Sequence, residues 1–306
     1  MKQVLIASPI SEKFNAFLIE KNYELIHYIN KNECSFINNE LIVGIITSNK
    51  LILNKTEIEK YPNLKWIGRI GSGMEIIDVA YCNQKNIQCE SSPNGIANSV
   101  AEHITGMLLS LNKNIHTSFE EIKNKEWSRE PNRGFELENQ TIGIIGYGNT
   151  GSAFAKKMAV FTNSILVYDK NKTGFSNDFI REVSLEELKE KATVLSFHLP
   201  LNEETKHYYN DEFLLSMKNQ HVLINSSRGP IANTSTILKG LQNEKIIGAC
   251  LDVLEEEKNI HEILQTSDNL IEQLLKYNVL ITPHIAGYSH NATEKMSQEL
   301  MDKIRF

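Results

Sequence analysis

The chain has 306 residues, 41% of them hydrophobic and 23% charged, with a net charge of -6. That length suits two domains better than one core. The acidic balance excludes a basic face for nucleic acid and a polybasic membrane patch, and no stretch approaches the ~20 apolar residues of a membrane span. The opening MKQVLIASPI has too short an apolar run for a signal peptide. Cys34, Cys82, Cys89 and Cys250 are scattered without a C-x-x-C pair, which fits free thiols in a reducing cytoplasm.

In chain order, the apolar runs 4–7, 43–46 and 64–70 read as buried strands, with helix-like pieces such as 12–21 between them. A helical pattern follows over about 99–122, where Ser99 and Glu102 have the spacing of a capping box. Strand-like segments then recur at 141–145, 164–168, 193–198, 222–224, 246–251 and 279–282, and 291–306 is again helical. Alternation of this kind implies an α/β protein with two parallel-sheet units joined by a long helix.

Residues 141–151 read TIGIIGYGNTG, placing Gly146, Gly148 and Gly151 between a strand pattern and a helix pattern. Glycines at this spacing let the backbone turn tightly and meet a pyrophosphate with the N–H groups that open the helix, here at Asn149 and Thr150. Asp169 stands eighteen residues after Gly151, at the end of the next strand. A carboxylate there binds adenosine ribose hydroxyls and repels a 2′-phosphate, favouring NAD over NADP, with Lys170 beside it as a countervailing charge.

Three further charges follow later strands: Arg228 in NSSRGPIAN, an acidic cluster in GACLDVLEEE and His284 in LITPHIAGY. Singly, each reads as an ordinary loop residue. Beside a dinucleotide loop, and all beyond the carboxyl ends of strands, they suit oxidation of a 2-hydroxy acid. Arg228 would hold the carboxylate and carbonyl oxygens, His284 would move the alcohol proton, and a glutamate would fix the imidazole tautomer. No His/Cys/Asp cluster has metal-ligand spacing, which argues against a metal-dependent hydrolase.

These motifs resemble those of the D-isomer-specific 2-hydroxyacid dehydrogenases over nearly the full length. IGRIGSGMEIID (67–78) is similar to the family's glycine loop, which implies that Gly71, Ser72 and Gly73 hold the substrate carboxylate. LSFHLPLNEET (195–205) resembles a cofactor-lining segment, implying cofactor roles for His198, Leu199, Pro200 and Thr205, and equally for Ser226, Ser227, Asp252 and Gly287. Arg228 and His284 match the catalytic positions. The family's glutamate lies five residues beyond the Asp of L-D-V, which selects Glu257 over Glu255 and Glu256. The resemblance implies two Rossmann-like or flavodoxin-like domains with a cleft between them: 1–98 plus 287–306 for substrate, 99–286 for NAD, in a cytoplasmic homodimer.

Within the family the chain looks most like short D-3-phosphoglycerate dehydrogenases of serine biosynthesis, with Arg69 and Lys50 as cations for the phosphate. Ser48 stands where those enzymes carry an arginine, so glyoxylate, hydroxypyruvate or another small 2-oxo acid is the alternative substrate. A non-catalytic NADH-sensing protein is the alternative of another class. His103 reads as an interface or packing residue, and Tyr288 as a substrate neighbour or a packing residue.

Overall fold

The computed structural model describes residues 1–28, 38–255, 257, 260–266 and 269–306; Cys34 and Glu256 lie outside the described residues. The chain divides into two compact units, Met1–Asn98 with Gly287–Phe306, and Ser99–Ala286. Each is a parallel-sheet α/β domain. Among the described residues no helix is long and apolar enough to cross a membrane.

The first unit contains β1 (Gln3–Ala7), α1 (Glu12–Glu20), β2 (Glu24–His27), β3 (Ile42–Thr47), α2 (Lys55–Ile58), β4 (Trp66–Arg69), α3 (Val79–Gln84) and β5 (Gln88–Ser91). Its strands run parallel in the order β2-β1-β3-β4-β5. Both faces are covered, which is why β1, β3 and β4 read as continuous apolar runs. Phe14 and Leu18 of α1 pack with Val4, Ile6 and Trp66 on one face. Ile58 and Cys82 pack with Leu5, Ile45 and Ile67 on the other. The edge strands β2 and β5 (ELIH and QCES) are only partly buried, so their mixed composition gives no strand signal.

The helix expected over 99–122 is instead two. Helix α4 runs Pro93–Asn112, Asn114 turns left-handed at φ 51°, and α5 runs Ile115–Lys123. Proline suits the first helical position, where its missing N–H costs nothing. Ser99 therefore lies inside α4 and is no cap; its hydroxyl donates to the Ala286 carbonyl at 2.9 Å.

The second unit continues with β6 (Ile142–Ile145), α6 (Asn149–Met158), β7 (Ile165–Tyr168), β8 (Arg181–Glu182), α7 (Leu185–Lys191), β9 (Val194–Phe197) and α8 (Asp211–Ser216). Then come β10 (His221–Asn225), α9 (Thr234–Gln242), β11 (Ile246–Leu251), α10 (Ile260–Ile263), α11 (Leu270–Leu274) and β12 (Val279–Ile281). The parallel order is β12-β11-β10-β9-β6-β7-β8. Local sequence starts the helices: Ser184, Asn210, Asn233 and Asn269 each accept an N–H of the first turn. Chain order reverses between β6 and β9, the switch point where open α/β sheets bind ligands. The helix α12 (His290–Lys303) belongs to the first unit, where Ala292, Met296 and Leu300 join its core.

Candidate active site

The glycine loop leaves β6 at the switch point. Gly146 has φ +94°, and a Cβ there would lie 2.3 Å from the His198 carbonyl oxygen. A Cβ on Gly151 would lie 2.1 Å from the Gly146 oxygen, whereas one on Gly148 would meet nothing within 4 Å. Two glycines therefore let the loop close on itself, and the third keeps its outer surface open. Asn149 and Thr150 begin α6 there, presenting the positive end of the helix dipole.

His198 reaches this loop from beneath. Its Nδ1 pairs with the Thr150 hydroxyl at 3.2 Å, its Nε2 pairs with Ser196 at 2.9 Å, and its ring lies near Phe154. Burial holds the imidazole neutral, pulling its pKa down to about 3. His198 is thus a brace acting through Thr150. Leu199 packs against Gly146, and Pro200 is exposed. Thr205 pins the loop after β9 by donating to the Pro200 carbonyl at 2.6 Å and accepting from Asn202 N–H at 2.9 Å.

Asp169 follows β7. Its carboxylate accepts from Tyr147 N–H at 2.6 Å and from Asn171 N–H at 2.9 Å, which fixes it beside the glycine loop. Lys170 turns to Glu204, 2.7 Å away.

At the end of β10, Asn225 organises the next turn. Its side chain donates to the Arg228 carbonyl at 3.0 Å and accepts from Ser227 N–H at 3.2 Å. The Ser227 hydroxyl donates to the Phe197 carbonyl at 2.6 Å and accepts from Leu199 N–H at 3.2 Å, tying this turn to the end of β9. Ser226 Oγ is buried without a hydrogen-bond partner. Arg228 is half-buried, with Nη1 on the Ser227 carbonyl at 2.7 Å. Gly229 follows because the turn touches the loop after β11: a Cβ there would stand 1.8 Å from the Leu254 oxygen.

That loop carries the acid. Glu257 Oε1 accepts from Leu254 N–H at 3.0 Å, and Oε2 lies 2.9 Å from His284 Nδ1. Glu255 points elsewhere, accepting from Thr234 N–H and pairing with His207. His284 sits just past β12 with φ +56°, a conformation non-glycine residues rarely adopt. Its pKa is raised, chiefly by the hydrogen bond to Glu257; burial opposes this, the charges of Glu257 and Asp252 add to it, and Arg228 works against it. With Nδ1 facing a carboxylate, Nδ1 keeps its proton and Nε2 is the atom that exchanges one. Asp252 is almost fully buried, at 1% exposure. It accepts from Thr282 Oγ at 2.6 Å and from the N–H groups of Ile285 and Ala286, both at 2.9 Å. Gly287 comes next and opens the segment of the first unit.

In the first unit, Gly71 has φ +137°, and its N–H donates to Ser92 Oγ at 3.0 Å. Among the described residues the amides of Ser72 and Gly73 have no acceptor within the protein. Arg69, expected as a cation for a substrate phosphate, is turned inward. It is only 7% exposed and donates to the carbonyls of Gly73 and Ile70 and to Asn49 Oδ1, bracing the glycine turn from inside. Lys50 is exposed.

Residues 105–286 match the family model described as D-isomer specific 2-hydroxyacid dehydrogenase, NAD binding domain. The chain belongs to this family. The dehydrogenase is 30% identical over 306 residues to the hydroxypyruvate reductase of Thermotoga maritima, covering 99% of this chain and 97% of that one. It is 28% identical over 308 residues to the D-3-phosphoglycerate dehydrogenase of Bacillus subtilis, covering 99% of this chain and 56% of that one. Among solved structures it resembles the D-lactate dehydrogenase of Aquifex aeolicus complexed with NAD and lactic acid. That match has 28% identity and a TM-score of 0.81, and covers 98% of this chain and 93% of the other.

This dehydrogenase is an NAD-dependent oxidoreductase acting on CH–OH groups. Its residues fit the cofactor: an open glycine turn at a helix N-terminus suits the pyrophosphate, and a fixed carboxylate after β7 suits the ribose. Sequence reasoning missed Asn225, Gly229 and Thr282 as organisers of the site. Each lay inside a quoted motif; Asn225 bonds within its own turn, while Gly229 and Thr282 meet residues from other elements. Asn49 and Ser92, which hold the Arg69 turn, had no signal at all.

Proposed function

We propose that the dehydrogenase reduces a small, unphosphorylated 2-oxo acid such as hydroxypyruvate or glyoxylate to its D-2-hydroxy acid. The observation that carries this reading is Arg69. Its guanidinium is buried against the carbonyls of its own turn, so it is not offered to a phosphate, and Ser48 supplies no cation in its place. The first expectation, D-3-phosphoglycerate, loses its main anchor.

Bound NADH supplies the hydride. Arg228 orients the carboxylate and polarises the keto group. His284 Nε2 gives its proton to the developing alkoxide, and Glu257 holds the tautomer and stabilises the charged ring. In the first unit, the amides of Ser72 and Gly73 have the chemistry to donate to a carboxylate oxygen. Because the His284 pKa is raised, the protonated form that reduction needs persists to higher pH than in a free imidazole. Ile115, Phe119 and Ile122 are exposed along α5 and favour a homodimer; a cytoplasmic location is part of the same reading.

The test is NADH oxidation with hydroxypyruvate, glyoxylate, pyruvate and 3-phosphohydroxypyruvate. The expected result is the highest kcat/KM for an unphosphorylated acid. A preference for 3-phosphohydroxypyruvate refutes the substrate assignment. NADH binding without turnover of any member refutes the catalytic reading.

A further inference from the structure

We propose that His103 and Thr282 are positioning residues for His284, acting through the buried carboxylate of Asp252. The hydrogen bonds form one directed chain. Thr282 has a single hydroxyl proton, and Asp252 Oδ1 at 2.6 Å is its strongest acceptor; the Met107 sulfur at 3.7 Å is a weak one. With that proton committed, the Thr282 oxygen faces His103 Nε2, 3.0 Å away, as an acceptor. His103 Nε2 therefore carries a hydrogen and also lies 3.7 Å from Asp252 Oδ1. The ring of His103, rooted on α4, sets the rotamer of Thr282, and Thr282 sets Asp252.

Asp252 in turn fixes the backbone around the acid/base. Its carboxylate takes the N–H groups of Ile285 and Ala286, and its main-chain oxygen takes the His284 N–H at 2.8 Å. These three bonds bracket the left-handed His284 and hold a conformation that the residue does not favour alone. The charged groups acting on His284 are Glu257, Asp252 and Arg228, so the turn also governs how far the imidazole sits from each. His103 is partly exposed, with its side chain 23% accessible, so it is open to replacement without a large void.

The inference rests on His284 being the acid/base. The experiment measures kcat, KM for NADH and the pH profile of 2-oxo acid reduction in the full chain. It compares Thr282→Val with Thr282→Ser, and His103→Leu with His103→Gln. Thr282→Val and His103→Leu are expected to lower kcat about ten-fold or more, as loss of near-attack geometry does. KM for NADH should stay unchanged, and the alkaline limb should move to lower pH as the Glu257 contact loosens. Thr282→Ser and His103→Gln keep a donor at the same place and should restore both kcat and the limb. A Thr282→Val enzyme with wild-type kcat and pH limb overturns the inference, as does equal loss in the Val and Ser variants. If Thr282→Val does not fold, the His103 pair decides alone by the same criteria. His284→Asn separates the two readings. Full activity in that variant removes the acid/base role itself; an inactive His284→Asn beside an unaltered Thr282→Val removes only the positioning role.

Discussion

Replacing Gly229 by alanine tests whether Arg228, proposed to orient the substrate, and Glu257 with His284, proposed as the acid/base pair, depend on one close backbone approach. The new Cβ would lie 1.8 Å from the Leu254 oxygen and 2.1 Å from its carbonyl carbon. Real Cβ atoms essentially never come within 3.0 Å, so the two loops must separate by roughly 1.2 Å. One of them carries Arg228, and the other carries Glu257, held through Leu254 N–H. A displacement near 1 Å costs about 100-fold in rate, or ~2.7 kcal/mol of transition-state stabilisation. Overpacking also costs roughly 1–3 kcal/mol of stability, so folding is checked by circular dichroism. The decisive assay is steady-state 2-oxo acid reduction beside an NADH fluorescence titration. The glycine loop after β6 is untouched, so NADH affinity should change little while kcat falls about 100-fold. A folded Gly229→Ala enzyme with kcat within about threefold of wild type refutes the reasoning.

Three other outcomes are expected. Gly151→Ala places a Cβ 2.1 Å from the Gly146 oxygen, so NADH should bind at least about ten-fold more weakly; an unchanged fluorescence titration contradicts the loop assignment. Glu204→Gln frees Lys170, which stands beside Asp169, and should raise NADPH use relative to NADH by a few-fold; an unchanged ratio of kcat/KM values means that Asp169 sets coenzyme choice alone. Burial lowers the pKa of His198 to about 3 and of His221 to about 4. Both bind a proton in the unfolded chain near ~6.5 but not in the folded one. The stability they give is full above that pH and is lost as pH falls toward their folded values. At pH ~5 the loss is about 2 kcal/mol for each. Urea midpoints at pH ~7.5 and ~5 measure it, and equal midpoints exclude it.

Features set by local chemistry were legible before folding was considered. Apolar runs without polar alternation marked strands covered on both faces, and G-x-G-x-x-G between a strand and a helix marked the dinucleotide turn. Arg228 and His284 were legible because each follows a strand end. The same local logic failed at α4, where Ser99 and Glu102 have a cap's spacing but Pro93 opens the helix six residues earlier. It also missed the half-buried edge strands β2 and β5, whose composition carries no strand pattern. The tertiary structure supplies the physical difference between two neighbouring carboxylates: Glu255 is drawn to His207 and Thr234 N–H, while Glu257, which the family spacing selects, faces His284. Only it turned Arg69 inward, because the carbonyls of Ile70 and Gly73 and the side chain of Asn49 converge on its guanidinium. The chain from His103 through Thr282 to Asp252 joins one helix and two strand ends that are far apart in sequence. Hydrogen bonds have a reach of about 3 Å in space and none along the chain, so such partners become readable only after folding.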